Sequence, residues 1–534
     1  MKINKKYLAI ILICISILTF SVVKKTFEND AFYTIALGEL VLENGIDMQD
    51  HFCFVKGLSY TYPHWLFDSI VSIFYKVWDL AGVYLFTVIM SIVFSITMFI
   101  IMKKRKTNTT IAFFVTLCAI QLLSNLFVGR AQLVSYLFLL IEFYVLDALA
   151  EEKKFSHVLL LIAIPIIIAN IHSAVWYIYF IMYLPYFAEA FLEYNSLPNS
   201  ITRKKEKLEL KIEKLKDNKF KKKEVKELEK QLNYYNKYLT EKAKEKSEPK
   251  FYAKKNSNLK LMIALFVISL ATGLITPIGD TPYTYFIKNT MGSSFKYISE
   301  QARIVVAERL DFQIMFISLM AIIGFTNTRV RLKDTFYIVG FCVLAILSTR
   351  SVLFFVIFGM VILARLITEF FEINNIDLEK IDKSMTKNIS LGCIVAVIGF
   401  TAVINYATIV NQQYADETLY PVKAADYIVE KLDYKKIRLY NNYDYGSYLL
   451  FRDIPVFVDS RSELYCEEFN DTSIFDDYIS VSLGKKHYKE VFDKYDITHI
   501  LVKKDSIESI YISKDNNYKL LYEDEIFVLY ENTK

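Results

Sequence analysis

The sequence predicts an α-helical polytopic membrane protein of about eleven spans, followed by a small C-terminal α/β unit. Three observations lead there. Long apolar runs recur along the first 410 residues, and a bilayer core needs about 17–25 residues of helix. Lys and Arg collect in alternate loops, as they do on the cytoplasmic side of membrane proteins. From about residue 413 the pattern changes to short β-branched runs between polar segments, as in the buried strands of a water-soluble fold. The apolar fraction of 54% exceeds the soluble average of about 45–50%. Only 15 Gly and 9 Pro among 534 residues exclude collagen-like and low-complexity classes.

The spans fall near 7–23, 81–102, 111–128, 133–150, 158–171, 174–194, 259–276, 312–327, 335–349, 351–370 and 389–410. The 158–171 run is short and its partner starts directly after His172, so the pair reads as a tight hairpin or a broken helix. Lys2, Lys5 and Lys6 precede the first span, and Lys103-Lys104-Arg105-Lys106 follow the second. Lys153-Lys154, the basic 203–255 stretch, and Arg329, Arg331 and Lys333 close later pairs. With eleven spans all of these fall on one side, which is then the cytoplasm; Lys24 and Lys25 oppose this and are outweighed. The expected topology has a cytoplasmic N-terminus in the cell membrane and an extracytoplasmic tail. The first span lacks a small-x-small cleavage site before Lys24 and reads as a retained anchor. The expected organisation is a transmembrane domain over 1–410, with an external loop at 24–80 and a cytoplasmic charged insertion at 199–258, then an extracytoplasmic domain over 413–534.

In the insertion, Val225, Leu228, Leu232, Tyr235 and Leu239 alternate three- and four-residue spacing, as do Leu208, Ile212 and Leu215. This is a coiled-coil-like helical hairpin with its turn expected at Asp217-Asn218. It is either a solvated pair dressing a loop or a docking arm for a protein partner or anionic lipid. In the tail, Val422 to Leu432 reads as a helix. Ile437–Tyr440, Pro455–Val458 and His499–Val502 read as strands, and Tyr518–Tyr522 with Ile526–Tyr530 as a terminal hairpin. The tail holds no nucleophile elbow, phosphate loop or metal-ligand cluster. The six cysteines show neither a C-x-x-C pair nor zinc spacing. The net charge of +5 is modest, and no nucleic-acid partner is expected.

Chemistry concentrates at the external ends of the spans. Asp30 follows the first span, where a carboxylate is expensive to hold near lipid; it could take a proton from an attacking hydroxyl or ligate a divalent cation. A solvated helix-end residue is the plainer reading. Arg130 starts the fourth span, Asn170 and His172 sit in the tight hairpin, and Arg350 joins two apolar runs. Arginines at that depth can grip phosphate oxygens in pairs, or simply snorkel to headgroups. Their shared location on the face that carries Asp30 raises the functional reading. His64 belongs to the same face, and Asp30, His64, Arg130, His172 and Arg350 are expected to meet in one external cavity.

In order along the chain, these segments resemble the GT-C superfamily of polytopic glycosyltransferases, near the bacterial relatives of protein O-mannosyltransferases. The first loop is similar to a pattern of Asp, Gly, a second Asp and a Trp-Leu pair, here Asp30, Gly38, Asp50 and Trp65-Leu66. Arg130-Ala131-Gln132, Asn170-Ile171-His172, Thr276-Pro277-Ile278-Gly279, Ile298-Ser299-Glu300 and Arg350 fit further positions, as do Tyr443–Leu449 and Val458–Arg461 in the tail. The chain departs from the mannosyltransferases where Asn29 precedes Asp30 and Ala31 follows it, and where Pro63 stands two residues before Trp65. The resemblance implies a polyprenyl-phosphate-linked sugar donor and an extracytoplasmic acceptor. It implies Asp30 as the catalytic carboxylate and metal ligand if a metal is used, and Arg130 and Arg350 on the donor phosphate. Asp50, His64, Asn170, His172 and Glu300 would then orient the acceptor or substrate. Two other classes compete: a non-enzymatic membrane assembly protein, and a transporter, for which no internal repeat is found.

Overall fold

The computed structural model describes residues 5–215, 222–244, 249–291, 298 and 300–534. Every predicted span contains a helix. Six helices among the described residues are long and apolar enough to cross a membrane: Lys5–Val22, Trp65–Lys104, Ala131–Glu151, Ser173–Asn195, Thr349–Ile373 and Asn388–Ile409. Thr109–Leu122, Phe155–Ile171, Leu259–Leu274, Leu310–Phe325 and Leu332–Leu347 are shorter apolar helices. Helix Val352–Ile373 is the central post, with every residue from Phe354 to Ala364 buried. Outer helices such as Asn388–Ile409 expose Val395, Val397, Phe400 and Val403, as lipid-facing helices do. The chain is a multi-pass membrane protein.

The charged insertion forms helices Leu197–Leu215 and Lys222–Lys244. They lie side by side, with Ile212 and Leu228 buried and Lys211 paired with Glu224 at 3.2 Å. The turn expected at Asp217-Asn218 lies outside the described residues.

The first loop, 24–80, is more ordered than its mixed aromatic and polar sequence suggests. It contains helix Asn29–Asn44 and the first third of Trp65–Lys104, which breaks at Trp78–Asp79, where Asp79 has φ 49°. The two helices cross in direct contact at Gly38, where a Cβ would stand 2.1 Å from the Asp68 carbonyl oxygen. Only a hydrogen fits there.

The tail builds a four-stranded sheet. Strands β1 (Leu439–Asn441), β2 (His499–Lys503), β3 (Tyr518–Glu523) and β4 (Phe527–Asn532) lie in the order β1-β2-β4-β3, with β1 parallel to β2 and the rest antiparallel. Helix Val422–Lys431 is as expected. The Pro455–Val458 run is buried but is not a regular strand. Pro455 has no N–H to offer a ladder, and Val456 is shared: it bridges Leu439 on one side and Cys53 of the first loop on the other. Its N–H donates to Phe52 O and its carbonyl accepts from Phe54 N, both at 3.2 Å.

That bridge is part of a larger union. The apolar core divides in two: one part runs through the membrane bundle, while the other joins the first loop to the tail. Phe32 packs edge-on against Tyr420 and Tyr448, with ring centroids 5.0 and 5.1 Å away, and Phe54 stacks on Phe457. Each such buried aromatic stabilises by roughly 1.5–3 kcal/mol. This half of the molecule is therefore assembled from the first loop and the tail together.

Candidate active site

A cavity of about 420 Å³ opens where the first loop, the tail and the span ends meet. Six of the residues singled out from sequence line it: Asp30, His64, Arg130, His172, Glu300 and Arg350. They come from six separate segments.

Asp30 lies in the first turn of helix Asn29–Asn44, where the free N–H groups and the helix dipole favour a carboxylate. Asn29 anchors that helix end to the tail: its Nδ2 donates to Tyr443 O at 2.9 Å and its Oδ1 accepts from Tyr448 N at 3.3 Å. The departure from a paired acidic motif is thus a clip between loop and tail. Arg130, extended just before helix Ala131–Glu151, meets three carboxylates. Its Nη2 lies 3.1 Å from Asp30 Oδ2, its Nη1 2.8 Å from Glu300 Oε1 and its Nε 2.6 Å from Glu28 Oε2, the last out of hydrogen-bond alignment. Asp30 Oδ1 makes no hydrogen bond among the described residues, and the residue lines the cavity. Burial raises Glu28 above the usual carboxylate range despite Arg130. At Glu300 burial acts in the same direction, but Arg130 and Arg350 together hold the carboxyl below that range.

Arg350 is different. It makes no ion pair among the described residues. Its N–H donates to Glu300 O at 3.0 Å, and the Gln132 amide oxygen, in the orientation that satisfies both groups, accepts from its Nε and Nη2. The guanidinium is held in place with its charge uncompensated by any bonded carboxylate.

The two histidines lie together, ring centroids 4.7 Å apart. Ser135 Oγ donates to Ala131 O at 2.8 Å, so its contact with His172 Nδ1 at 3.0 Å must be donated by the imidazole. His172 Nε2 is then an acceptor, and it has no partner. His64 Nδ1 meets Tyr33 Oη at 3.3 Å. Burial, reinforced by Arg350 and Arg130, pushes the His64 imidazole down to about 3. It is neutral at ordinary pH, suited to hydrogen bonding rather than to carrying charge. The unfolded chain takes up this proton near 6.5 while the folded chain waits until about 3, so stability is expected to fall as pH drops through that window. Melting curves between pH 7 and 5 check this: His64→Gln, which keeps an acceptor for Tyr33, should flatten the slope, and an unchanged slope would refute it.

Asp50 and Asn170 are not brought into the cavity. Asp50 accepts from Cys53 N and pairs with Arg461 at 2.7 Å. Asn170 accepts from Trp65 Nε1 at 3.2 Å and donates to Ile166 O and Ile275 O, stitching three segments behind the wall. The cavity gains Tyr285 and, from the tail, Tyr443, Arg461 and Glu463. Burial holds Glu463 above the usual carboxylate range, against the lowering effects of Tyr285 and Arg461. The signal for it was its place two residues after the Val458–Arg461 motif. The three carboxylates around Arg130 each turn an oxygen to its guanidinium. Among the described residues no group of three or more His, Cys, Asp or Glu is arranged to hold a metal ion, so the residues present do not form a metal site as they stand.

No protein-family profile matches the chain, and no curated protein matches it in sequence. Solved structures do match. The archaeal oligosaccharyltransferase AglB from Archaeoglobus fulgidus, in complex with an inhibitory peptide and a dolichol-phosphate, superposes with a TM-score of 0.55 at 10% identity, covering 93% of this chain and 69% of that one. The apo form of the Archaeoglobus fulgidus oligosaccharyltransferase gives 0.52 at 10% identity, with the same coverage. These likenesses are of fold, and they do not single out the protein O-mannosyltransferase branch. The chain is a multi-pass membrane protein with the fold of the GT-C glycosyltransferases.

Proposed function

We propose that the chain transfers a sugar from a polyprenyl-phosphate-linked donor to an acceptor hydroxyl on the extracytoplasmic face of the membrane. The observation that carries this reading is the convergence of Asp30, His64, Arg130, His172, Glu300 and Arg350 on one cavity at the membrane end of the bundle. In the reaction, the acceptor oxygen forms a bond to the anomeric carbon while its proton passes to Asp30 Oδ1. The bond between that carbon and the phosphate oxygen breaks, and the electron pair leaves with the lipid phosphate. Arg350, the guanidinium without a carboxylate partner, stabilises the departing charge. Arg130 fixes the orientation of Asp30 through Oδ2, and the neutral His64 and His172 orient the acceptor. A lipid-phosphate donor is in keeping with the dolichol-phosphate bound by the archaeal neighbour; a hydroxyl acceptor follows the resemblance to the O-mannosyltransferases.

The same reading puts the N-terminus in the cytoplasm and the tail outside. Residues 413–534 form the external unit that roofs the cavity together with loop 24–80, and 1–410 form the membrane domain. Polyprenyl-phosphate sugars incubated with the purified full chain and a panel of hydroxyl acceptors test the reaction. Wild-type protein should release polyprenyl phosphate, and Asp30→Asn, at equal membrane abundance, should lower turnover by about 10²–10⁴-fold, the range of a positioned general base. Turnover in Asp30→Asn equal to wild type would remove Asp30 from the chemistry.

A further inference from the structure

A second cavity, of about 410 Å³, opens at the other end of the bundle. Helix Ala131–Glu151 begins beside Arg130 at the first cavity and ends with Glu151 at the second. Its 21 residues rise roughly 30 Å, about the thickness of a hydrocarbon core. Helix Leu332–Leu347 makes the reverse journey, from Arg331 and Lys333 to Arg350. The two cavities therefore belong to opposite membrane faces.

The floor of this second cavity is a closed ion-pair network. Arg105 lies 3.2 Å from Asp147 and 2.9 Å from Asp334. Lys333 pairs with both carboxylates, Arg331 grips Glu189 at 2.6 Å, and Arg365 stands between Asp334 and Glu369. Cations and carboxylates balance there.

The rim does not balance. Lys154 and Lys254 are held by Glu152 and Glu151, but Lys104 and Lys106 make no ion pair among the described residues. Both are exposed. Between them Arg105, whose side chain is 6% exposed, keeps a buried Nη1 with no hydrogen-bond partner. Lys106 also sits in the left-handed region, at φ 67°, in a turn where Lys106 N donates to Lys103 O and Thr107 N to Met102 O. Glycine or asparagine is usual at such a helix end. Two solvated ammonium groups and one orphaned guanidinium N–H thus surround a hollow and offer donors only, the complement of a phosphate.

Hydrocarbon surface adjoins the rim. Helix Phe155–Ile171, which contributes His157 to the cavity, exposes Phe155, Leu159 and Leu160. In a membrane these side chains meet acyl chains. We infer that the second cavity binds the phosphodiester of an anionic phospholipid from the leaflet opposite the first cavity. Lys104, Arg105 and Lys106 take the headgroup, and the acyl chains lie along Phe155 and Leu159. Basic hollows between helices at a membrane face bind such headgroups elsewhere. The inference is independent of the glycosyl-transfer reading.

Thermal melting of the purified full chain, titrated with phosphatidylglycerol, tests it, because a ligand of the folded state raises the melting temperature with the logarithm of one plus the ratio of its concentration to its Kd. Phosphatidylglycerol should raise it, while phosphatidylcholine and millimolar inorganic phosphate should not. The double variant Lys104→Gln/Lys106→Gln, which changes only exposed side chains outside the ion-pair network, should bind phosphatidylglycerol at least about tenfold more weakly. An equal shift from phosphatidylcholine, or undiminished phosphatidylglycerol affinity in the double variant, would overturn the site. An equal shift from inorganic phosphate would overturn the lipid as its occupant.

Discussion

Replacing Arg461 with methionine is expected to destabilise the half built from the first loop and the tail by about 3–5 kcal/mol, the range measured when one partner of a buried ion pair is removed. Arg461 is 1% exposed. Its Nε and Nη2 donate to the two carboxylate oxygens of Asp459 at 2.9 and 2.7 Å, and its Nη1 donates to Asp50 at 2.7 Å. The guanidinium also lies 4.9 Å from the Tyr60 ring centroid and 5.2 Å from that of Phe52. Without it, two buried carboxylates face each other uncompensated. Arg461→Lys keeps the charge but not the forked geometry, so it should recover only part of the loss. Melting of the purified variants, together with protease cleavage between residues 45 and 60, measures the effect. A methionine variant as stable as wild type would show that the tail and the first loop hold together by apolar packing alone.

The second large effect is on turnover. Arg350→Ala is expected to lower kcat by about 10²–10³-fold, the loss typical of removing one preorganised donor to developing negative charge. Stability should fall less than in the Arg130 variant, because Arg350 carries no structural ion pair among the described residues and gives up only its bonds to Gln132. Arg350→Lys should recover part of the rate. Arg130→Ala should behave differently: it leaves Glu28, Asp30 and Glu300 clustered without their cation, so it should lower stability and turnover together. The two arginines are thus distinguishable by parallel melting and transfer assays. A wild-type rate in Arg350→Ala would assign the leaving phosphate to another group.

The membrane half was legible because each span is a continuous apolar run, a signal that needs no knowledge of distant residues. The positions of Arg130, His172 and Arg350 at span ends were legible for the same reason, and Asp30 followed from the first span. Asp50 was not. As a carboxylate in a loop it looks like substrate machinery, and only the partner 411 residues away shows that it is a clamp. Asn170 likewise reads as chemistry until Trp65 and Ile275 are seen to use its amide. The helix at Asn29–Asn44 was hidden because its apolar residues face several neighbours at once, blurring the periodicity. Pro455–Val458 looked like a strand because burial selects the same β-branched and aromatic residues whether the backbone pairs regularly or at a single bridge.

The shared core of loop and tail also has a consequence in time. The Asp50–Arg461 contact closes over 411 intervening positions, and at ribosomal speeds of about 5–20 residues per second that interval lasts roughly 20–80 s. During it Phe27, Phe32, Phe54 and Tyr60 still await the surfaces that will cover them. The loop is then an unsatisfied aromatic patch, open to strangers with similar surfaces. The tail thus supplies the surface that covers the first loop, and the cavity forms only once residues as far on as Arg461 have been made.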